Sequence, residues 1–230
     1  MSEQYRSITQ NLANASTTGY KRKVTAFSLA MTTQMASRKS DGLSASKVVD
    51  HLGVDFTQGS MRQTGSPFDL ALNGDGFFVI ESTSGPVYTR SGSFRLSPQG
   101  QLVDLQGRTV AGESGPIIIP SGVSAQSVKI GDDGEVTANA QVIGKVKMVE
   151  FTDPNVLTPV GANCFEATAG AQPQPASDTR ISQGFQESSN VSVVEELVGL
   201  ITVSRLYEAN LKNIQAQDER MKSLLSVASR

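Results

Sequence analysis

Val193-Val-Glu-Glu-Leu-Val-Gly-Leu-Ile-Thr-Val-Ser-Arg-Leu-Tyr-Glu-Ala-Asn-Leu-Lys-Asn-Ile-Gln-Ala-Gln-Asp-Glu-Arg-Met-Lys-Ser-Leu-Leu-Ser-Val-Ala228 is the stretch whose reading decides the architecture. Within it Val193, Leu197, Leu200, Ser204, Tyr207, Leu211, Ile214, Asp218, Met221, Leu225 and Ala228 alternate at four and three residues, and nine of these eleven are apolar. This spacing keeps one stripe on one side of a slightly under-wound helix, the pattern of a coiled-coil seam. Val194, Val198 and Ile201 add a second apolar edge near its start, as a helix touching more than one neighbour requires. Ser188, Ser189 or Asn190 can cap it, and Glu195 and Glu196 suit the dipole of its first turn. Ser204 and Asp218 interrupt the stripe, either to set register between partners or because they face a wet lumen.

A partner helix is expected at the other end, where Tyr5, Ile8 and Leu12 share the spacing over a stretch too short to be helical alone. The expected interface is therefore Tyr5, Ile8 and Leu12 with Val193, Leu197, Leu200, Tyr207, Leu211, Ile214, Met221, Leu225 and Ala228. Apolar stripes belong to an ordinary core more often than to a polymer contact, so a self-contained antiparallel helix pair is the competing reading. A stripe with an exposed second edge favours neighbouring subunits as the missing cover.

Between the ends the pattern changes to short apolar runs and turns. Asn73-Gly-Asp-Gly76 precedes Phe77-Phe-Val-Ile80, Ser97-Pro-Gln-Gly100 separates Ser93-Phe-Arg-Leu96 from Gln101-Leu-Val103, and Asp132-Asp-Gly134 divides Val128-Lys-Ile130 from Glu135-Val-Thr137. Each reads as a hairpin. Residues 37–50, rich in Ser, Lys and Asp, and Ala169 to Asp178, with Gly170, Pro173 and Pro175, read as extended linkers. The expected fold is α+β. A discontinuous helical domain forms from 1–36 paired with 186–230, 37–66 is an extended connector, and 67–185 is a β-rich domain.

Composition narrows the function. The 20 basic residues against 22 acidic ones give a formal charge of −2, which supplies no footprint for nucleic acid. Lys21-Arg-Lys23 is a short basic run, read as a solvated or interfacial turn. His51 and Cys164 stand alone, so neither a zinc site nor an oriented nucleophile is expected, and both read as structural. Asn73-Gly-Asp-Gly76 and Gly131-Asp-Asp-Gly134 lack the alternating oxygen ligands of a calcium loop and read as turns. The expectation is no catalytic residue, no metal, no cofactor and no small-molecule substrate. The N-terminus has no apolar signal core and no run is long enough to span a bilayer.

Asn11-Leu-Ala-Asn-Ala-Ser-Thr-Thr-Gly-Tyr-Lys21 resembles the signature that ends the first helix in flagellar rod and hook proteins. Asn14, Ser16 and Thr17 offer oxygens that compete with helical hydrogen bonds, Gly19 can take positive φ, and Tyr20 starts an extended segment; Asn11, Asn14, Gly19 and Tyr20 are the motif-turn residues. The resemblance continues through Phe56-Thr-Gln-Gly-Ser-Met-Arg-Gln-Thr-Gly65, Phe68 to Val79, Tyr88-Thr-Arg-Ser-Gly-Ser-Phe94, Gln186 to Val198 and Arg205-Leu-Tyr-Glu-Ala-Asn210. It covers nearly the whole chain in the family's order.

That resemblance implies a structural subunit of the flagellar basal-body rod, exported unfolded by the flagellar type III apparatus without a cleavable signal. It also implies a helical tube, with terminal helices lining the inside and the β domain outside, that transmits torque from motor to hook. Implied partners are further copies and other rod or hook subunits, with no membrane insertion. Gly107 to Pro120 and the modest length resemble a proximal rod protein, while the ending and Phe56 to Gly65 also resemble the distal rod; rod is favoured over hook, proximal slightly over distal. Family members begin with further helical turns before the Asn-Leu-Ala-Asn motif, which only ten residues precede here, so either the start lies upstream of Met1, the simpler expectation, or the inner tube differs. The competing class is an adhesin-like or carbohydrate-binding β module with a helical oligomerisation tail, which would need aromatic platforms from a chain with no Trp and four Tyr.

Overall fold

The computed structural model describes residues 2–24 and 53–228, and side chains for 3–24 and 53–221. His51 and the 37–50 connector lie outside these residues. Helix α1 (Ser2–Ala13) and helix α2 (Val193–Ala228) flank a long run of strands, giving an α+β fold. Among the described residues one compact unit takes 2–13, 23–24, 53 and 192–228, and the other takes 14–22 and 54–191.

The strands are β1 (Arg22–Val24), β2 (Gly53–Asp55), β3 (Met61–Gln63), β4 (Leu70–Asn73), β5 (Phe77–Ser82), β6 (Gly85–Thr89), β7 (Arg95–Leu96), β8 (Leu102–Val103), β9 (Val128–Ile130), β10 (Glu135–Ala138), β11 (Gln141–Lys145), β12 (Met148–Glu150), β13 (Leu157–Gly161), β14 (Cys164–Ala167), β15 (Gln174–Pro175), β16 (Arg180–Gln183) and β17 (Phe185–Glu187). The largest sheet orders them β13-β14-β6-β5-β12-β15, with every pair antiparallel. Strand β5 is the pivot. Its side chains alternate, so Phe78 and Ile80 enter one core cluster with Leu70, Leu72, Val110, Val128 and Ile181, while Phe77 and Val79 enter a second with Tyr88, Phe151, Leu157 and Phe165. A strand covered on both faces explains why Phe77 to Ile80 is a continuous apolar run rather than an alternating one.

Two of the three expected hairpins form, β9 with β10 and β7 with β8. The third does not: Asn73 to Gly76 turns the chain between β4 and β5, but β4 pairs with β16 and β5 pairs with β6 and β12. An Asn-Gly pair reports that the chain turns, not that the flanking strands meet. The stretch 169–178, read as linker, contributes β15, which closes the edge of the large sheet by pairing with β12. Pro175 lacks an amide donor, which suits an edge position.

Candidate assembly site and its buried anchor

In the helical unit α1 meets α2 through a small, polar-centred contact. Asn11 on the last turn of α1 is 1% exposed. Its Nδ2 donates to the Lys23 carbonyl at 2.9 Å and to Glu196 Oε1 at 3.2 Å, and its Oδ1 accepts from the Lys23 amide at 2.8 Å. One side-chain amide thus pairs with both backbone groups of Lys23, as a neighbouring strand would. Ser7 Oγ donates to the same Lys23 carbonyl at 3.0 Å. One turn earlier, Ile8 packs beside Gly199. Val203 is buried as well. The cap of α2 is Ser192, whose Oγ accepts from the Glu195 amide, while Asn190 and its neighbours serve elsewhere.

The face of α2 turned to α1 therefore runs through Glu196, Gly199 and Val203, beside the heptad stripe rather than along it. Ile8, Leu12 and Leu200 are half-buried. Tyr5 is 50% exposed, and Val193, Leu197, Tyr207, Leu211, Ile214 and Met221 are 42 to 61% exposed. Val194, Val198 and Ile201 are exposed too. Ser204 and Asp218 also face outward. The side chains of Leu225 and Ala228 lie outside the described residues.

The motif turn sits in the β unit. Thr17 N donates to the Asn14 carbonyl and Thr17 Oγ1 to Asn14 Oδ1 at 3.2 Å, so Asn14 closes the turn. Gly19 follows at φ +67°, and a Cβ there would run into the backbone of Ser91. Both facts demand glycine. Its amide donates to the Glu187 carbonyl at 2.8 Å, and Tyr20 is buried beside it.

Lys21 corrects the sequence reading, which placed it in a solvated or interfacial turn. Its side chain and that of Glu187 are both 0% exposed, with Nζ 2.6 Å from Glu187 Oε1. Nζ also donates to the Thr57 carbonyl at 2.7 Å, and the Gly59 amide donates to Glu187 Oε1 at 2.9 Å. Arg90 completes the cluster, donating from Nη1 to the Gly74 carbonyl at 2.6 Å, lying 3.8 Å from Glu187 Oε2 and stacking over Phe77 at 4.9 Å. Burial pushes the Lys21 ammonium below its usual range, and the Glu187 carboxylate pulls it back. Burial acts the same way on Arg90, opposed by Glu187 and then Asp75. Lys21, the Thr57–Gly59 segment, Arg90 and Glu187 each lie in one of the separated motifs noted above. The cluster is what brings those motifs together. Only their grouping in one resemblance hinted at it, because Lys21 and Glu187 are 166 residues apart.

Residues 71–138 match the model of the flagellar hook protein FlgE/F/G D1 domain, and residues 182–227 match that of the flagellar basal body rod FlgEFG protein C-terminal region. The chain is 37% identical over 221 residues to a flagellar basal-body rod protein FlgF of Caulobacter vibrioides, covering 94% of this chain and 88% of that protein. The chain belongs to the flagellar basal-body rod protein family. A FlgG rod protein of Buchnera aphidicola is 34% identical over 242 residues, 94% of this chain and 91% of its own length, and a FlgF of Salmonella typhimurium is 32% identical over 240 residues, 95% and 90%. This rod protein is a structural subunit and a component of the flagellar basal body; the adhesin-like alternative is not favoured by such relatives. In the rod protein the first matched segment carries Arg90 and the second carries Glu187, so the buried anchor ties the two together.

Proposed function

We propose that the subunit polymerises into a helical tube through its terminal segments, 1–36 and 186–230, while its strands in 67–185 carry load, so that the rod transmits torque between motor and hook. The observation that carries this is the uncovered stripe on α2. Tyr207, Leu211, Ile214 and Met221 continue for about five turns past Val203, and each is more than 40% exposed in the single chain. Large apolar side chains at regular helical spacing gain about 1.5 to 3 kcal/mol each on full burial, which neighbouring helices of further copies or other rod and hook subunits would supply. The motif-turn residues Asn11, Asn14, Gly19 and Tyr20 hold the chain's path out of α1. Passage through the flagellar type III apparatus as an unfolded chain belongs to the same reading.

The test is electron cryo-tomography of basal bodies in cells lacking the gene, complemented with wild type or Leu211→Asp. Wild type restores a truncated rod and Leu211→Asp does not, although the purified variant keeps the melting temperature of its β unit. Intact basal bodies in the deletion strain, or normal incorporation of Leu211→Asp, would refute the proposal.

A further inference from the structure

Between Thr179 and Asn190 the end of the β unit reaches back to three earlier parts of it, 19–22, 55–76 and 128–132. Thr179 Oγ1 accepts from the Gly76 amide at 2.9 Å. Ile181 is 4% exposed in the first core cluster, and its amide donates to the Asp132 carbonyl at 2.8 Å. The Gln183 side chain donates to the Pro67 and Val128 carbonyls at 2.8 and 3.0 Å and accepts from the Ile130 amide at 3.2 Å. Gly184 donates to the Asp69 carbonyl and accepts from the Thr64 and Gly65 amides. Glu187 holds Lys21 and the Gly59 amide, and Asn190 donates to the Asp55 and Thr57 carbonyls while accepting from the Arg22 amide.

We propose that residues 179–190 are a closing strap: the β unit does not reach its folded state until they are seated, and it opens as one body when they leave. Three features support this. In the sheet order β3 has β17 as its neighbour and β4 has β16, so removing the strap strips the ladder from both. Without Glu187 the Lys21 and Arg90 side chains, 0% and 1% exposed, would be cations held out of water without the carboxylate that faces them. The strap's contacts close loops of more than a hundred residues, such as Gly76 to Thr179 and Lys21 to Glu187. Loop entropy must be lost before such contacts reward it, so they form late.

The consequence is that the strands up to residue 178 stay unfolded while the strap is withheld. For a subunit that travels as an unfolded chain this prevents premature folding until all but the last segment has emerged, and only this consequence rests on the export reading above.

Hydrogen exchange followed by mass spectrometry on the purified full-length chain tests the strap, at alkaline pH and in mild urea, where exchange outpaces reclosing. Peptides covering 179–190, β5 to β6, and β9 to β10 are expected to show two-population envelopes with opening rates equal within about twofold. Gln183→Ala removes three hydrogen bonds without touching a buried charge, and it is expected to speed all three regions by the same factor. Strap peptides opening about tenfold faster than β5 to β6, or Gln183→Ala accelerating the strap alone, would overturn the proposal. The measurement needs neither rod nor export apparatus, so its failure is distinct from failure of the assembly reading.

Discussion

Removing the charge of Glu187 is expected to destabilise the β unit more than removing the charge of Lys21, although the two form one ion pair. The buried cluster holds two cations, Lys21 and Arg90, against one carboxylate, and all three side chains are at most 1% exposed. Burial pushes the Lys21 ammonium below its usual range, and the 2.6 Å contact with the Glu187 carboxylate opposes that shift by favouring the charged form. Glu187→Gln leaves two like charges facing each other out of water, and an orphaned buried ion costs about 3 to 5 kcal/mol. Lys21→Met removes hydrogen bonds to Thr57 and Glu187 but leaves Glu187 opposite Arg90 at 3.8 Å, with the Gly59 amide still donating to it. That loss is about 1.5 to 3 kcal/mol, typical of hydrogen bonds to a charged group. The expected gap is about 2 kcal/mol, or roughly 4 to 8 °C in melting temperature for a unit of this size. Differential scanning calorimetry with near-ultraviolet circular dichroism is the suitable assay, since the chain has no Trp. A Lys21→Met variant as unstable as Glu187→Gln, or less stable, would refute the charge count and with it the view of Glu187 as the anchor.

Three further outcomes follow from the same geometry. Gly19→Ala is expected to lose more than about 1 kcal/mol of β-unit stability in urea titration, because it meets both a positive φ and the Ser91 backbone. Asn11→Ala removes the side-chain bonds to the Lys23 amide and carbonyl and to Glu196; a loss of about 1 to 3 kcal/mol should release α1, read as lost helical ellipticity with the β unit's melting unchanged. Burial pushes the Cys164 thiol above its ordinary value, against the pull of Arg108, so a disulfide reagent at pH 8 should react with the folded chain at least about tenfold more slowly than with the urea-unfolded chain. The linkage has a definite sign: the folded chain keeps this proton longer, so the thiol's share of stability is lost as pH rises past its unfolded pKa.

Much of the architecture is legible in the chain because it is written locally. The four-three alternation from Val193 marks α2 without reference to anything else, since a helix repeats its faces every few residues. Asp132-Asp-Gly134 and Ser97-Pro-Gln-Gly100 mark turns because Gly and Asp relieve strain where they stand. Family membership was legible for the same reason, in short motifs kept in order. The site was less so. Lys21 lies in a basic run and reads as part of a solvated or interfacial turn, because nothing within twenty residues of it announces a carboxylate at Glu187. Asn11 reads as part of a turn, yet its amide pairs with the backbone of Lys23 and reaches Glu196, 185 residues away. Asn73 to Gly76 reads as a hairpin, yet the partner of β4 comes from Arg180 to Gln183. Sequence alone therefore determined the α2 helix, the β-rich stretch before it, the turns within that stretch, and the family, although it read the segment that holds β15 as linker. Only the tertiary structure decided which distant strands pair, as β4 does with β16, and which charges are buried together, because those choices depend on groups more than a hundred residues apart meeting out of water, where a charge without its partner costs more than a domain can readily bear.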